Sequence, residues 1–223
     1  MAHKHIRHAV IFDMDGVIAD SEHITYKGLR DFLKKIDPSK DYSEKEFYGN
    51  LGKSYKEYWT DLEKVYNVKK EKVIKRFRRL QYKIIRKELQ EIEGATELLK
   101  ALKKCGVKTA LATSSLGMKA YVCMEKLGLE KYFHALVTGN HVKRLKPAPD
   151  VFLYAAKRLK EKPENCIVVE DTVTGIRAAK AAGMIPVLYH NKHLTHQKGQ
   201  HHLKGVKRIY SLKEFVKLAE GLQ

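Results

Sequence analysis

His8-Ala9-Val10-Ile11-Phe12-Asp13-Met14-Asp15-Gly16 is the stretch that decides the fold. Its apolar run stops at once on a carboxylate, which predicts a short buried strand over His8 to Phe12 ending in a loop that faces a ligand. In extended backbone, residues two apart point to the same side. Asp13 and Asp15 therefore face together, while Gly16 permits a tight turn. The run is too brief for a signal-peptide core or a membrane span, so the chain is expected to be cytoplasmic and without a membrane partner.

Moving outward, the pattern turns helical for about 70 residues. Helices are predicted over 21–33, 44–48, 55–65 and 69–89, with turns at Asp37-Pro38-Ser39 and Gly49-Asn50-Leu51-Gly52 and no strand candidate between them. From Gly94 onward helix and strand alternate. Strands are predicted at 107–112, 135–138, 166–169 and 185–188, and helices at 95–104, 118–127, 150–159, 173–182 and 212–219. Such alternation requires a parallel sheet, because parallel strands need crossover connections. The expected class is α/β: a Rossmann-like core with helices on both faces, made of residues 1–19 and 94–223, and an inserted α-helical cap at 20–93. Hinges are expected near Ala19-Asp20 and Glu93-Gly94.

Composition narrows the choices further. A net charge of +18 raises the question of nucleic acid. The densest run, 69–87, holds ten Lys or Arg against one acidic residue, Glu71. Its apolar positions Val73, Ile74, Phe77, Leu80, Ile84 and Ile85 recur at helical spacing, which reads as an amphipathic helix with a basic solvated face. No nucleic-acid motif accompanies the charge, and a positive field also attracts small phosphate esters. Cys105, Cys123 and Cys166 form no CxxC pair and read as small core residues rather than a zinc site or disulfide framework. The histidine clusters, His3, His5 and His8, then His190, His193, His196, His201 and His202, lie in polar stretches and read as surface residues rather than metal ligands.

In open parallel sheets ligands bind beyond the carboxyl ends of the strands. Those ends carry Asp13-Met14-Asp15-Gly16, Thr113-Ser114-Ser115, Lys146-Pro147-Ala148-Pro149-Asp150 and Glu170-Asp171-Thr172. They bring carboxylates, hydroxyls and an ammonium to one rim. Two carboxylates facing one substrate suit phosphoryl transfer: one attacks phosphorus to form an aspartyl phosphate, and the other protonates the leaving oxygen and later deprotonates water.

The ordered set DxDG, Thr/Ser, KPxPD and ED resembles the haloacid dehalogenase superfamily. Within it the chain is similar to the group whose helical cap follows the first motif, the phosphoglycolate phosphatases and β-phosphoglucomutases. The resemblance spans essentially the whole chain and implies that Asp13 is the nucleophile and Asp15 its acid/base partner. It further implies that Thr113, Ser114 and Lys146 bind the phosphoryl group. Four clustered carboxylates beside a phosphate dianion repel one another, which calls for a cation with hard oxygen ligands, Mg²⁺. The resemblance implies Asp13, the Asp15 carbonyl and Asp171 as ligands, with Glu170 either a ligand or one shell out.

Dehalogenases and phosphonoacetaldehyde hydrolases of this superfamily lack the second Asp of the first motif; the presence of Asp15 therefore points to phosphate esters. In the cap, Gly49 and Lys53, in the turn Gly49-Asn50-Leu51-Gly52-Lys53-Ser54, are candidates for substrate specificity. The mutase group carries a histidine early in the first cap helix. Thr25 stands at that position here, and His23, two residues earlier, is turned away by about 200°. The expected function is a Mg²⁺-dependent phosphatase of a small phosphorylated metabolite, a sugar phosphate or a phosphoglycolate-like ester. A β-phosphoglucomutase-like mutase is the alternative. A non-enzymatic nucleic-acid-binding protein is the alternative of another class, against which the intact carboxylates argue.

Overall fold

The computed structural model describes residues 8–50, 55–67, 69–190 and 203–220. Strand β1 (Ala9–Phe12) has all four residues buried and lies between two neighbours. These are β2 (Thr109–Ala112) and β4 (Cys166–Glu170), both parallel to it. With β3 (Ala135–Val137), β5 (Ile185–Tyr189) and β6 (Lys207–Ile209), they form a six-stranded sheet in the order β3-β2-β1-β4-β5-β6. Every pairing is parallel. Phe12 sits opposite Leu111 on one side and Val169 on the other. The three strands therefore end at nearly the same level, and the loops beyond them share a rim.

The sheet confirms the expected class and adds β6. Residue spacing does not predict that strand, because Lys207-Arg208-Ile209 offers one apolar residue and no run. It is an edge strand, with Lys207 and Arg208 exposed and Ile209 buried, the charged composition that discourages edge-to-edge pairing.

Helix α5 (Ala95–Lys104) precedes β2, and α6 (Gly117–Leu127) follows it. Helices α7 (Asp150–Leu159) and α8 (Val173–Ala181) flank β4, while α9 (Glu214–Glu220) closes the sequence of elements. Val151, Phe152, Ala155 and Leu159 of α7 and Ala178 and Ala179 of α8 pack with Ile11, Ala110, Val137 and Val168 on one face of the sheet. On the other face Phe12 meets Phe133 and the α9 residue Phe215, with ring centroids 6.4 and 6.0 Å apart. Each fully buried phenylalanine contributes about 2–3 kcal/mol by removal from water.

The chain divides into two compact units, residues 1–20 with 90–223, and residues 21–89. The second unit is helical: α1 (Ser21–Ile36), α2 (Glu44–Gly49), α3 (Tyr55–Tyr66) and α4 (Lys70–Glu88). Helix α2 starts on a capping box, Ser43 with Glu46, which satisfies amide groups at both positions. Val73 and Phe77 of α4 join Leu29, Leu33, Phe47, Trp59 and Tyr66 in one aromatic-rich core. Lys75, Arg76, Arg79, Lys83, Arg86 and Lys87 stay exposed, so α4 is the basic amphipathic helix that its spacing predicted. Among the described residues no helix is long and apolar enough to cross a membrane.

The cysteines divide by burial. Cys105 is exposed, whereas Cys123 and Cys166 are buried. Burial pushes the Cys123 thiol up to about 12, with Asp15 adding to the rise and Lys119 opposing it. Cys166 is pushed up to about 11 by burial and by Glu161 and Glu164. Because the thiolate is the reactive species, a thiol reagent at about pH 8 is expected to modify Cys105 promptly and the other two only after denaturation. Equal rates at all three in the native protein would contradict this packing.

Candidate active site

Beyond β1, Met14 is fully buried and Asp13 nearly so, while Asp15 is partly exposed. Asp13 N donates to Val169 O at 3.0 Å, extending the β1–β4 pairing one step past the strand. Gly16 has φ of 76°, the left-handed conformation that brings Ala19 N back to Met14 O.

Lys146 joins the ends of β1 and β4. Its Nζ donates to Asp13 Oδ1 at 2.5 Å and to Glu170 Oε1 at 2.7 Å, and sits 4.6 Å from the centre of the Phe152 ring. The side chain is 6% exposed. Burial opposes its charge, but Asp13 and Glu170 outweigh burial and raise its pKa above the ordinary lysine value. Asp13 is pushed up to about 7, chiefly by burial, with Glu170 and Asp15 adding to the rise and Lys146 opposing it. Two carboxylates, Asp13 and Glu170, share one buried ammonium, which leaves surplus negative charge.

Glu170 is engaged at both oxygens. Oε1 accepts from Lys146, and Oε2 accepts from Thr172 N and Thr172 Oγ1 at 2.7 and 2.8 Å. Thr172 in turn caps α8, accepting from Gly175 N at 2.9 Å. Glu170 thus lies over the first turn of α8, where the helix dipole favours a carboxylate. Gly175 has to lack a side chain: a Cβ there would overlap the Glu170 carboxylate.

Asp15 faces the end of β2. Lys119 Nζ donates to Oδ1 at 2.6 Å, Ser115 Oγ donates to Oδ2 at 2.7 Å, and Thr113 Oγ1 lies 3.5 Å from the same Oδ2. Thr113 Oγ1 also accepts from Ser115 N at 2.9 Å. The Ser114 hydroxyl is buried without a hydrogen-bond partner among the described residues. Asp171 is buried one residue beyond Glu170.

The donor set can be tested for a divalent cation. Asp13, Asp15, Glu170 and Asp171 face two ammonium groups, Lys119 and Lys146, and this charge surplus in hard oxygen donors fits Mg²⁺. Among the described residues no three His, Cys, Asp or Glu side chains converge into a metal cluster, and Lys146 stands between Asp13 and Glu170. Glu170, with both oxygens taken, suits the outer shell rather than direct ligation.

The strand ends therefore bring together Asp13, Asp15, Thr113, Lys146 and Glu170. Ser115 and Thr172 were placed at the rim by the sequence without a role of their own, and Lys119 and Gly175 were not singled out. Lys119 becomes legible once α6 is known to start at Gly117, because side chains lean toward a helix N-terminus and so toward the β2 end. In the helical unit, His23 is exposed and Gly49 ends α2 with open space around it. Thr25 donates to Ser21 O at 2.7 Å and accepts from Gln81 at 3.1 Å, so its hydroxyl is committed within that unit. Lys53 and His3, His5, His193, His196, His201 and His202 lie outside the described residues.

A parallel sheet whose central strand ends in paired carboxylates, one of them bonded to a buried lysine, defines a Rossmann-like enzyme of the phosphoryl-transfer type. Residues 10–188 match the family described as haloacid dehalogenase-like hydrolase. The chain is 35% identical over 178 residues to a phosphorylated carbohydrates phosphatase of Thermotoga maritima, covering 79% of this chain and 82% of that protein. It is 32% identical to a β-phosphoglucomutase of Bacillus subtilis, covering 80% and 81%. A crystal structure of a putative β-phosphoglucomutase from Thermotoga maritima superposes with a TM-score of 0.79 at 30% identity, covering 97% and 100%. The chain belongs to the haloacid dehalogenase-like hydrolase family.

Gly175→Ala tests the Glu170 arrangement directly. The added methyl must displace a carboxylate held by three donors, so a loss of about 2–3 kcal/mol is expected in chemical denaturation. An unchanged midpoint would show that Glu170 can relocate freely.

Proposed function

We propose that this protein is a Mg²⁺-dependent phosphatase of a small phosphorylated metabolite, a sugar phosphate or phosphoglycolate-like ester. The carrying observation is the pair of carboxylates at the end of β1, with Asp13 bonded to the buried Lys146 and Asp15 beside it. Asp13 attacks phosphorus in line and forms an aspartyl phosphate as the ester oxygen departs. That oxygen takes the proton that Asp15 carries when the ester binds. Asp15 then removes a proton from water as it attacks the aspartyl phosphate, releasing inorganic phosphate and restoring Asp13.

Lys146 offsets charge on the transferring group, and Thr113 and Ser114 donate to its non-bridging oxygens. Asp13, the Asp15 carbonyl and Asp171 would hold Mg²⁺, which would supply charge shielding for the negatively charged phosphate. In this reading Glu170 acts by holding Lys146. The helical unit serves as a cap, with Gly49, Lys53 and His23 as its candidates for substrate choice.

The Bacillus subtilis relative favours a second reading, in which the phosphoryl group returns to a sugar. Thr25, at the position of the mutase histidine and with its hydroxyl bonded to Ser21 and Gln81, weighs for hydrolysis.

A panel of phosphate esters with Mg²⁺ or EDTA tests both readings. Phosphate release is expected to require Mg²⁺ and to fall at least about a thousandfold in Asp13→Asn. Substantial turnover by that variant would sink the nucleophile assignment. Glucose 6-phosphate rather than phosphate from β-glucose 1-phosphate would favour the mutase.

A further inference from the structure

Asp15 is held through both carboxyl oxygens by two groups to which the motifs assign no role, beside the longer contact from Thr113. Lys119 reaches Oδ1 from the first turn of α6, and Ser115 reaches Oδ2 from the loop after β2. The Lys119 and Asp15 side chains are 16% and 17% exposed, so the pair is largely withdrawn from water and is not an ordinary surface ion pair. Lys146, the ammonium proposed for the phosphoryl group, lies on the other side of β1, against β4.

We propose that Ser115 and Lys119 form a clasp whose task is to position Asp15 for proton exchange with the leaving-group oxygen. The clasp rests on the assignment of Asp15 as the acid/base residue. An aspartate on a loop samples several rotamers, and proton transfer needs its oxygen within hydrogen-bond reach of the reacting atom. Two bonds from separate elements, one to each oxygen, fix both the direction and the twist of the carboxyl group. Holding a reacting group in place is itself a source of rate. Lys119 and Ser115 are thus positioning residues that act through Asp15.

Leaving-group dependence tests this. An aryl oxyanion such as p-nitrophenolate departs without a proton, whereas an alkoxide departs poorly unless protonated. Lys119→Met keeps an unbranched side chain one heavy atom shorter and removes its charge. It is expected to lower kcat/KM at least about 30-fold for the best alkyl phosphate of the panel and less than about 5-fold for p-nitrophenyl phosphate. Ser115→Ala is expected to show the same preference more weakly, and Lys119→Arg to restore alkyl turnover to within about 5-fold of wild type. Equal losses on the two esters would overturn the clasp, pointing to phosphoryl binding or to general disruption; so would no loss on either. Thermal unfolding of each variant identifies misfolding, and Ser115→Ala carries the test if Lys119→Met does not fold. Wild type that hydrolyses both esters only with Mg²⁺ and an intact Asp13 shows that the underlying reading holds even where the clasp fails. Wild type inert toward every ester would remove that reading and the clasp with it.

Discussion

Lys146 is bonded to Asp13 and Glu170 at once, with the face of Phe152 beside its ammonium. Withdrawing these charges from water is costly, and it is tolerable because each finds partners in a fixed geometry. Removing one partner from such a cluster strands the others, at a cost of about 3–5 kcal/mol. Attraction to the ammonium also ties β1 to the loop that carries Lys146 and to the end of β4. Asp13 thus meets partners more than a hundred residues away in sequence, and the cluster exists only where the ends of β1 and β4 lie side by side.

Several local choices follow from that cluster. Glu170 can serve Lys146 only if its other oxygen is satisfied, which Thr172 does through its amide and hydroxyl. The same hydroxyl accepts from Gly175 N, so the start of α8 and the orientation of Glu170 are set together. Gly175 leaves room for the carboxylate that a methyl group would displace. Phe152 belongs to the buried cluster on one face of the sheet while its ring face lies near the ammonium. Packing of α7 and charge placement at the rim are therefore one problem, solved by one side chain.

Much of this was legible from residue order. The short run Ala9 to Phe12, ending on Asp13, announced both the central strand and the rim, because a buried strand places a carboxylate at its end only where the chain meets solvent or a ligand. The parallel sheet followed from the alternation after Gly94, and α4 from the spacing of Val73, Phe77 and Ile85. Less legible were features that depend on distance rather than pattern. Lys207-Arg208-Ile209 becomes a strand only because β5 offers it an edge. Lys119 looks like any helix-surface lysine until the start of α6 aims it at Asp15. Gly175 reads as a helix-weakening residue until Glu170 is seen lying over it. Thr172 reads as an ordinary N-cap, and its second bond, to Glu170, has no counterpart in sequence spacing.

The central place of β1 explains how two carboxylates two residues apart can be given unlike surroundings. A strand with a neighbour on each side presents its end to two different loops. Asp13 falls on the β4 side, where burial, with Glu170 adding to it and Lys146 opposing, holds its carboxyl group well above the ordinary range. Asp15 falls on the β2 side, where Lys119, Ser115 and Thr113 meet it at a more open position. The proposed reaction needs this asymmetry: one carboxylate must be aimed at phosphorus while the other exchanges a proton with the departing oxygen and then with water. An edge strand would have supplied only one set of neighbours, and the two aspartates would have competed for the same ammonium. Placing β1 at the centre gives each its own lysine.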